Sequence, residues 1–355
     1  MTMIIGKTIG GRYHIKESLS QGGFGETYVA EDTHLPGNPQ FVVKKLNPQS
    51  TDPFVLQTAR RLFETESQVL HKLGKCDRIP QLFAHFEEDQ EFYLVQELIV
   101  GHDLSHELVL SNQPGVRGTQ LSENQVMQLL QDILEVLTVV HDEGVIHRDI
   151  KPANLMRRDS DGKIILIDFG AVKEKVISAV KNSQTQRNIT VCIGTEGYMP
   201  NEQMNGYPEL SSDIYAVGMV AIQALTGLSP DQFPKNSDTL EVMWREQAAV
   251  SPKLANFIDN MIRYRHSDRY QSADEALQVI KSLVSGSIAP TIVSPAPWWH
   301  SLKLSNFQPK LNLIIGLISL GIAVISAVAV FHNVHKIQPQ SGSNSTPVPA
   351  KDGVW

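Results

Sequence analysis

The chain has 355 residues, of which 41% are hydrophobic and 19% are charged, an ordinary globular composition with room for a large core. Its formal net charge of −7 gives no electrostatic reason to expect nucleic acid as a partner. The two cysteines, Cys76 and Cys192, cannot form a C-x-x-C pair or a four-ligand zinc site. We expect two reduced thiols in preference to a disulfide.

The first hundred residues alternate between apolar and polar side chains, as strands do. Residues 13–19 show this period of two, residues 41–46 form a short apolar run that contains a lysine, and residues 79–86 and 92–98 are two more strand-like runs. The acidic segment 87–91 joins the last two and predicts a hairpin. A helix over about 54–73 interrupts the strands, because apolar residues such as Leu62 and Val69 recur there at helical positions.

After residue 103 the pattern becomes mainly helical. Ser122 and Gln125 fit a capping box, and apolar residues follow at helical spacing, at positions 126, 129, 130, 133, 137 and 140. Ser272 and Glu275 predict a second capping box, and Asp161-Gly162 predicts a small hairpin between the helices. The sequence therefore predicts an α+β fold in which a small β-rich half precedes a larger helical half.

The segment 311–331, between Lys310 and His332, contains 21 residues and no charge. A helix of that length is about 31 Å long at about 1.5 Å per residue, enough to cross a bilayer core of about 30 Å. We expect one transmembrane helix here, after a linker at 286–310 and before a short disordered tail at 332–355. The alternative is a long buried core helix.

A glycine-rich turn lies between two strand-like runs, in the segment Leu19-Ser-Gln-Gly-Gly-Phe-Gly-Glu-Thr-Tyr-Val29. Glycines at 22, 23 and 25 would let backbone amides approach phosphate oxygens closely. A glycine-rich hairpin without a ligand has the same composition. No helix follows the turn, which argues against a dinucleotide-binding loop.

Lys44 stands in an apolar strand, after Val42 and Val43. Burying its charge is costly unless the ammonium is paired, and Glu66 on the following helix is the natural partner. The alternative is a lysine whose ammonium reaches solvent at the strand edge, for which the neighbouring Lys45 is the control.

Two further motifs carry acidic and amide side chains. His147-Arg148-Asp149-Ile150-Lys151-Pro152-Ala153-Asn154 follows a helix, and Asp168-Phe169-Gly170 follows a strand, 14 residues after Asn154. A carboxylate, an amide and a second carboxylate can thus converge on one small volume, and hard oxygen ligands of this kind suit Mg²⁺. A single aspartate in a loop is usually a turn former, but the whole set in this order points to chemistry.

Together these motifs resemble the protein-kinase superfamily over about residues 12–285, because the glycine loop, the lysine strand, HRDIKPAN and DFG are its signature in order. The lysine two positions after Asp149 resembles the serine/threonine branch, as does the segment 194–199, which is similar to a substrate-binding loop. Residues 92–98, FYLVQEL, are similar to bacterial and especially cyanobacterial kinases. The resemblance implies a bilobal fold with an N-terminal lobe at about 12–98 and a C-terminal lobe at about 99–285.

The resemblance also implies a role for each matched residue. The catalytic residues would be Asp149 as proton acceptor, Lys151 on the transferred phosphate, and Lys44 on the α/β-phosphates, paired with Glu66. Asn154 and Asp168 would bind the metal. The ATP-binding residues would be Leu19, Ser20, Gln21, Gly22, Gly23, Phe24, Gly25, Thr27, Lys44, Gln96, Glu97 and Leu98.

Elsewhere, the resemblance places Gln96 at the gate of the adenine pocket, Thr195 on the substrate side, and a buried ion pair between Glu202 and Arg269. The chain departs from the family pattern at four places. Ser20 replaces the first glycine, Thr27 a valine, Gln96 an apolar gate residue, and Pro200-Asn201-Glu202 the usual Ala-Pro-Glu. The first departure puts nucleotide affinity in question.

The implied function is transfer of the γ-phosphate of ATP, with Mg²⁺ or alternatively Mn²⁺, to serine or threonine hydroxyls of protein substrates. The resemblance makes residues 168–202 the activation segment. The Arg148 guanidinium could pair with a phosphate on that segment, which predicts autophosphorylation. The candidate sites are Ser178, Ser183, Thr185 and Thr190. One rival interpretation is a pseudokinase that acts as a membrane-tethered binding module, and another is a small-molecule phosphotransferase.

The predicted span would place the protein in the inner cell membrane, with the kinase domain in the cytoplasm where ATP is. The row Ser319, Ala323 and Ala327 has the small-residue spacing that lets two spans pack as a homodimer. Chance in an alanine-containing helix explains that row equally well.

Overall fold

The structure is a computed structural model that describes residues 4–22, 25–46, 53–111, 116–169 and 195–286. Several predictions fall outside these residues, namely Gly23, Phe24, the candidate phosphosites Ser178, Ser183, Thr185 and Thr190, Cys192, and everything from the linker through the span 311–331 to the tail. Within the described ranges, no helix is both long enough and apolar enough to cross a lipid bilayer. Cys76 is a free thiol.

The N-terminal lobe is built on one antiparallel sheet, ordered β1-β2-β3-β4-β6-β5. Its six strands are β1 (Thr8–Ile9), β2 (Tyr13–Gly22), β3 (Gly25–Asp32), β4 (Gln40–Leu46), β5 (Leu82–Glu88) and β6 (Glu91–Glu97). β5 begins later than the predicted residue 79, since Pro80 cannot donate a ladder hydrogen bond. The predicted hairpin tightens to Asp89 and Gln90, both with positive φ, as a two-residue turn requires.

Helix α1 (Pro53–Leu73) covers one face of this sheet, which confirms the predicted helix. Phe63 and Leu70 on the helix share one buried cluster with Phe92 and Leu94 of β6, and that cluster continues into the C-terminal lobe. Burial of these side chains holds the helix against the sheet, because removing apolar surface from water is the main favourable term in packing.

The opposite face of the sheet is covered by the first residues of the chain. Ile4 and Ile9 are buried in a second cluster with Tyr13 and Tyr93. A Cβ atom on Gly10 would lie 2.8 Å from Phe86 Cζ, so this approach needs a glycine. The packed lobe therefore includes residues that precede the predicted start at 12.

The C-terminal lobe is mainly helical, so the predicted bilobal α+β fold is confirmed. Its helices are α2 (Glu123–Asp142), α3 (Asn201–Met204), α4 (Leu210–Thr226), α5 (Pro252–Met261) and α6 (Ala273–Val284), and a small antiparallel sheet contains β7 (Gly101–Asp103), β8 (Leu155–Arg158) and β9 (Ile164–Leu166). Helix α4 is buried almost throughout, which matches its apolar composition. It ends at Gly227, whose φ of 65° suits a glycine cap.

The two capping boxes predicted at helix N-termini are formed to different extents. The predicted box at Ser122 and Gln125 is complete, with both reciprocal hydrogen bonds present. At Ser272 only half of the predicted box forms, because its Oγ accepts from the Glu275 amide while the Glu275 carboxylate accepts from the Gln271 amide at 2.7 Å. The predicted hairpin between β8 and β9 is confirmed.

Candidate active site

Three polar residues of the N-terminal lobe lie in one cross-strand row. Thr27 on β3 is directly opposite Lys44 on β4, and Ser20 on β2 is directly opposite Thr27. Opposed residues on neighbouring antiparallel strands share a face of the sheet. Because the Lys44 ammonium forms an ion pair with Asp168 of the C-terminal lobe, this row faces the cleft between the lobes.

The Lys44 ammonium is mostly buried and sits among negative charges. Burial by itself would lower the pKa of Lys44, but the carboxylates of Asp168 and Glu66 outweigh it and raise that pKa overall. Glu66 lies on α1 and is buried. The charge of Glu66, the predicted partner, thus acts on Lys44, while the direct ion pair of Lys44 is with Asp168, and the lysine stays charged.

The glycine hairpin is closed by a ladder pair between Gly22 and Gly25. Gly25 has a φ of 150°, and a Cβ atom there would collide with the backbone carbonyl of Lys45. The start of β3 can therefore approach the Lys45 carbonyl of β4 this closely only because residue 25 is a glycine. Leu19, predicted to touch ATP, is half exposed on β2.

The predicted adenine side of the cleft lies at the end of β6. Gln96 is buried there, opposite Val42 of β4, so the polar residue at the predicted gate is part of the lobe interior. Glu97 closes the strand, with its amide donating to the Gln81 carbonyl at 2.9 Å. Leu98 follows and leads into β7, where the chain enters the C-terminal lobe.

The catalytic-loop residues surround the carboxylate of Asp149, which is 4% exposed. Thr195 Oγ1 donates to Asp149 Oδ1 at 2.9 Å, and Asn154 Nδ2 donates to Asp149 Oδ2 at 2.8 Å. Lys151 Nζ lies 3.1 Å from Asp149 Oδ2 and donates to Thr195 Oγ1 at 2.8 Å. The Asp149 carboxylate thus already accepts a hydrogen bond from one hydroxyl, with an ammonium beside it.

The two predicted metal ligands are brought together by the backbone. The Ile167 amide donates to the Asn154 carbonyl at 3.0 Å, which sets Asp168 beside Asn154. Asn154 uses its amide hydrogens on the carbonyl and carboxylate of Asp149, so its side-chain oxygen is the donor left for a cation. One carboxylate and one amide oxygen fit a divalent cation that shares its other ligands with phosphates and water.

A buried aspartate on α4 accepts hydrogen bonds from the backbone of the catalytic loop, and the sequence did not reveal this role. Asp213 on α4 accepts from the amides of His147 and Arg148, both at 2.8 Å. His141 Nε2 lies 3.1 Å from the same carboxylate, while its Nδ1 accepts from the Ala273 amide. Since Nδ1 accepts, the proton is on Nε2 and is donated to Asp213. The available signal was a lone aspartate in an apolar helix.

Two contacts of His147 fix the loop against the segment that follows β9 and carries Asp168. His147 Nε2 donates to the Ile167 carbonyl at 3.0 Å, and the His147 ring packs on Phe169 at 4.9 Å between centroids. Gln203 Nε2 donates to the Arg148 carbonyl at 2.6 Å. Arg148 itself has a positive φ of 69°, a strained conformation that these contacts hold in place.

The predicted ion pair between Glu202 and Arg269 is confirmed. Its two N–O distances are 2.6 and 3.1 Å, and the Arg269 side chain is fully buried. Burial would raise the pKa of Glu202, but the hydrogen bonds and charge of Arg269 prevail and lower it. This pair ties α3, at the end of the substrate loop, to the segment before α6.

Lys44, Asp168, Asn154 and Asp149 therefore meet in one cleft, as the motifs and their family resemblance imply, and Lys151 and Thr195 lie beside Asp149. Residues 13–280 match the family model described as the protein kinase domain. This chain belongs to the protein kinase family. Members of this family use ATP together with a divalent metal.

Several curated relatives come from cyanobacteria. Serine/threonine-protein kinase B of Synechocystis sp. is 44% identical over 275 residues, which cover 77% of this chain and 47% of that protein. Serine/threonine-protein kinase PknA of Nostoc sp. is 41% identical over 288 residues, covering 81% of this chain and 50% of the relative. The chain spans about half the length of the curated relatives it matches.

Solved structures share the fold at lower identity. The structure titled PpkA-294 apo form has a TM-score of 0.61 and 21% identity, and the match covers 79% of this chain and 99% of that one. The PknI kinase domain of Mycobacterium tuberculosis has a TM-score of 0.56 and 20% identity, with the same shares of each chain covered.

Proposed function

We propose that this protein transfers the γ-phosphate of Mg-ATP to serine or threonine hydroxyls of protein substrates. The observation that carries the proposal is the Asp149 carboxylate, which accepts a hydrogen bond from a threonine hydroxyl beside Lys151. A substrate hydroxyl needs the same acceptor in order to lose its proton as it attacks phosphorus. The curated relatives carry the name serine/threonine-protein kinase, which supports the same reaction class.

Each residue of the cleft then has a defined task. Asp149 accepts the proton of the attacking hydroxyl, and Lys151 stabilises the charge on the phosphoryl group as it moves. Lys44, kept charged by its carboxylate neighbours, holds the α- and β-phosphates. Mg²⁺, when bound by Asn154 and Asp168, would neutralise phosphate charge that builds up during transfer.

The ATP-binding surface would be the cleft face of β2 and β3, with the end of β6 beside it. Ser20 and Thr27 share that face with Lys44, so their hydroxyls would lie near the nucleotide. The residues that phosphate transfer needs are all present in the chain, and hydrogen bonds or ion pairs link Lys44 to Asp168 and both Asn154 and Lys151 to Asp149. This favours an active kinase over a pseudokinase that would serve only as a binding module.

The test is incubation of the purified chain with labelled ATP and a generic protein substrate. We expect label on serine or threonine in the wild-type reaction and none with Lys44→Ala, because the phosphates lose their cation. Lys16→Ala, at an exposed lysine of β2, is the matched control and should keep its activity. Equal labelling by wild type and Lys44→Ala would overturn the proposal.

Regulation by phosphorylation of the activation segment is also proposed, at one or more of Ser178, Ser183, Thr185 and Thr190. The supporting observation is that Arg148 Nε is buried without a hydrogen-bond partner among the described residues. A guanidinium with an unused donor suits a phosphate. Mass spectrometry of active protein should find phosphate between residues 168 and 202; its absence from fully active protein would refute this.

Anchoring in the inner membrane through residues 311–331, with the kinase domain in the cytoplasm, is proposed on the length of that uncharged segment. The full chain should resist alkaline extraction from membranes, and a chain lacking 311–331 should be released. Homodimerisation through Ser319, Ala323 and Ala327 would be detected by cross-linking and weakened by Ala323→Leu. Extraction of the full chain by alkali, or cross-linking unchanged by Ala323→Leu, would refute the respective proposal.

A further inference from the structure

Strand β4 carries two adjacent lysines with opposite orientations. Lys44 faces the cleft, whereas Lys45 faces the outer side of the sheet, where Phe41 and Val43 are buried. The Lys45 side chain is only 6% exposed, less than the 14% of Lys44. A buried cation on a face that is otherwise apolar needs a specific set of partners.

Those partners come from the strands on either side of β4. Lys45 Nζ lies 2.5 Å from Glu91 Oε2 on β6 and 3.6 Å from Glu26 Oε2 on β3. Tyr28 donates to Glu26 Oε2 at 2.6 Å, and Tyr93 donates to Glu91 Oε2 at 3.2 Å. We call Lys45, Glu26 and Glu91 the Lys45 clamp.

The two phenols stay protonated and so remain donors to the clamp. Burial, together with nearby carboxylates, raises the pKa of Tyr93 to about 12. The pKa of Tyr28 is raised as well, first by burial and then by its hydrogen bond to Glu26. Every charged group of the clamp thus has a hydrogen-bond or ion-pair partner, and the side chains of Lys45 and Glu26 are each only 6% exposed.

The clamp lies at the base of the glycine hairpin. Glu26 directly follows Gly25 and is the cross-strand partner of Lys45. At Gly25 the chain passes so close to the Lys45 carbonyl that no side chain would fit. Lys45 therefore contacts the returning strand of the hairpin twice, through its backbone at Gly25 and through its ammonium at Glu26.

Stability alone gives a weak reason for this arrangement. Replacing buried ion pairs by packed apolar side chains is often neutral or stabilising. What a buried, directional contact supplies is register, since a slip of one residue in β4 would exchange the two lysines between the faces of the sheet. Lys44 would then lose Asp168, and Lys45 would lose both carboxylates.

We propose that Lys45 is a positioning residue, which acts through Glu26 and Glu91 to hold the base of the glycine hairpin in register with β4, and so sets the affinity for ATP. The inference rests on the proposed function only in taking the cleft between the lobes as the nucleotide site. It assigns no contact between Lys45 and the nucleotide.

The experiment compares two charge-neutral double variants of the full chain. Lys45→Met with Glu26→Gln removes the buried cation together with its cross-strand carboxylate on β3 and keeps the net charge, while the part-exposed Glu91 retains its hydrogen bond from Tyr93. Lys16→Met with Glu31→Gln is the matched control, because that ion pair, at 3.3 Å, joins β2 and β3, the two strands of the hairpin, at the end far from the glycine turn. Binding of a non-hydrolysable ATP analogue is measured by calorimetry, and thermal unfolding is recorded for each variant.

We expect the Kd for the analogue and the KM for ATP to rise about tenfold in the clamp variant, while the KM for protein substrate stays within about twofold. The control variant should stay within about twofold of wild type in every quantity. Lys45→Arg, which keeps the cation, should recover most of the affinity. If Lys45 had a purely structural role, the clamp variant would have a lower Tm but an unchanged Kd for the analogue and an unchanged KM for ATP.

An unchanged Kd in a folded clamp variant would overturn the proposal, and so would an equal loss in the control variant. If the clamp variant fails to unfold cooperatively, Glu91→Gln replaces it, because that carboxylate is partly exposed; about threefold weaker binding is then expected, and none would count against the clamp. Wild-type protein that binds the analogue but transfers no phosphate would refute the proposed function, while the Kd values would still decide on the clamp.

Discussion

The catalytic loop and the glycine hairpin are held in place by different means. The loop at residues 147–154 is fixed by side chains that come from far along the chain, Asp213 on α4 and Gln203 on α3. The hairpin at residues 19–29 is fixed by the ladder between β2 and β3, which are neighbours in sequence, and by contacts with β4.

This difference separates two functions of the site. The loop presents the Asp149 carboxylate and its partners, and small displacements of reacting groups cost much of the rate. The hairpin only has to bring backbone close to the nucleotide, for which a ladder with glycines is sufficient. Changes around the loop should therefore alter kcat, and changes in the hairpin should alter the affinity for ATP.

The strongest test of the loop is Asp149→Asn. We expect kcat to fall by about 10²–10⁴-fold because the general base is lost, while the amide keeps the shape of the side chain. Steady-state kinetics and thermal unfolding measure the two effects. Asp159→Asn, at an exposed aspartate near β8, is the control and should behave as wild type. Full activity of a folded Asp149→Asn protein would contradict the assignment.

Asp213→Asn tests whether the loop depends on its remote support. An amide offers one acceptor oxygen, and its NH₂ group would face a backbone donor, so one of the amides of His147 and Arg148 loses its partner. We expect kcat to fall about 10²-fold and the KM for ATP to change little. The free energy of unfolding should drop by about 2 kcal/mol, measured by urea denaturation. A kcat near the wild-type value would show that the support is dispensable.

Glu202→Gln probes the ion pair that secures the end of the substrate loop. At neutral pH we expect a loss of about 3 kcal/mol in the free energy of unfolding, because Arg269 is left buried with a neutral partner. Glu241→Gln, whose carboxylate lies 3.9 Å from the part-exposed Arg263, is the control and should cost less than about 1 kcal/mol.

The pH dependence of that difference has a definite sign. The folded-state pKa of Glu202 lies below its ordinary value of 4.5, so the carboxylate contributes its stability above pH 4.5. That contribution is lost as the pH falls through the lower folded-state pKa. Wild type and Glu202→Gln should therefore converge in stability in acid. A gap that persists or widens there would contradict the pairing.

Gly25→Ala tests the hairpin and should have the smallest effect. The new methyl group would press on the Lys45 carbonyl, so we expect a loss of about 1–3 kcal/mol in stability and a higher Kd for ATP, with kcat nearly unchanged. Gly37→Ala is the control, since Gly37 also has a positive φ but has no atom within 4 Å of the new methyl position. A similar rise in Kd for both variants would show that close approach at Gly25 is unimportant.

Much of the fold follows from short stretches of sequence. Alternation over 13–19 and the short apolar run at 41–46 predicted strands that the structure contains, and the Ser122–Gln125 box marked the start of α2. These features depend on neighbours within a few residues, which a sequence displays directly. Tertiary contacts changed the local prediction at Ser272, because the Glu275 carboxylate found the Gln271 amide instead of closing the box.

The motifs around Lys44, Asp149, Asn154 and Asp168, through their resemblance to the protein kinases, implied that these residues share a cleft. Period two also dictated that Lys44 and Lys45 lie on opposite faces of β4, but not which of them faces Asp168. Tertiary packing decided which lysine faces Asp168. It also decided that Asp213 and His141 support the catalytic loop and that Ile4 and Ile9 cover one face of the sheet. Contacts between residues far apart in the chain depend on how whole elements pack, and no local pattern records them.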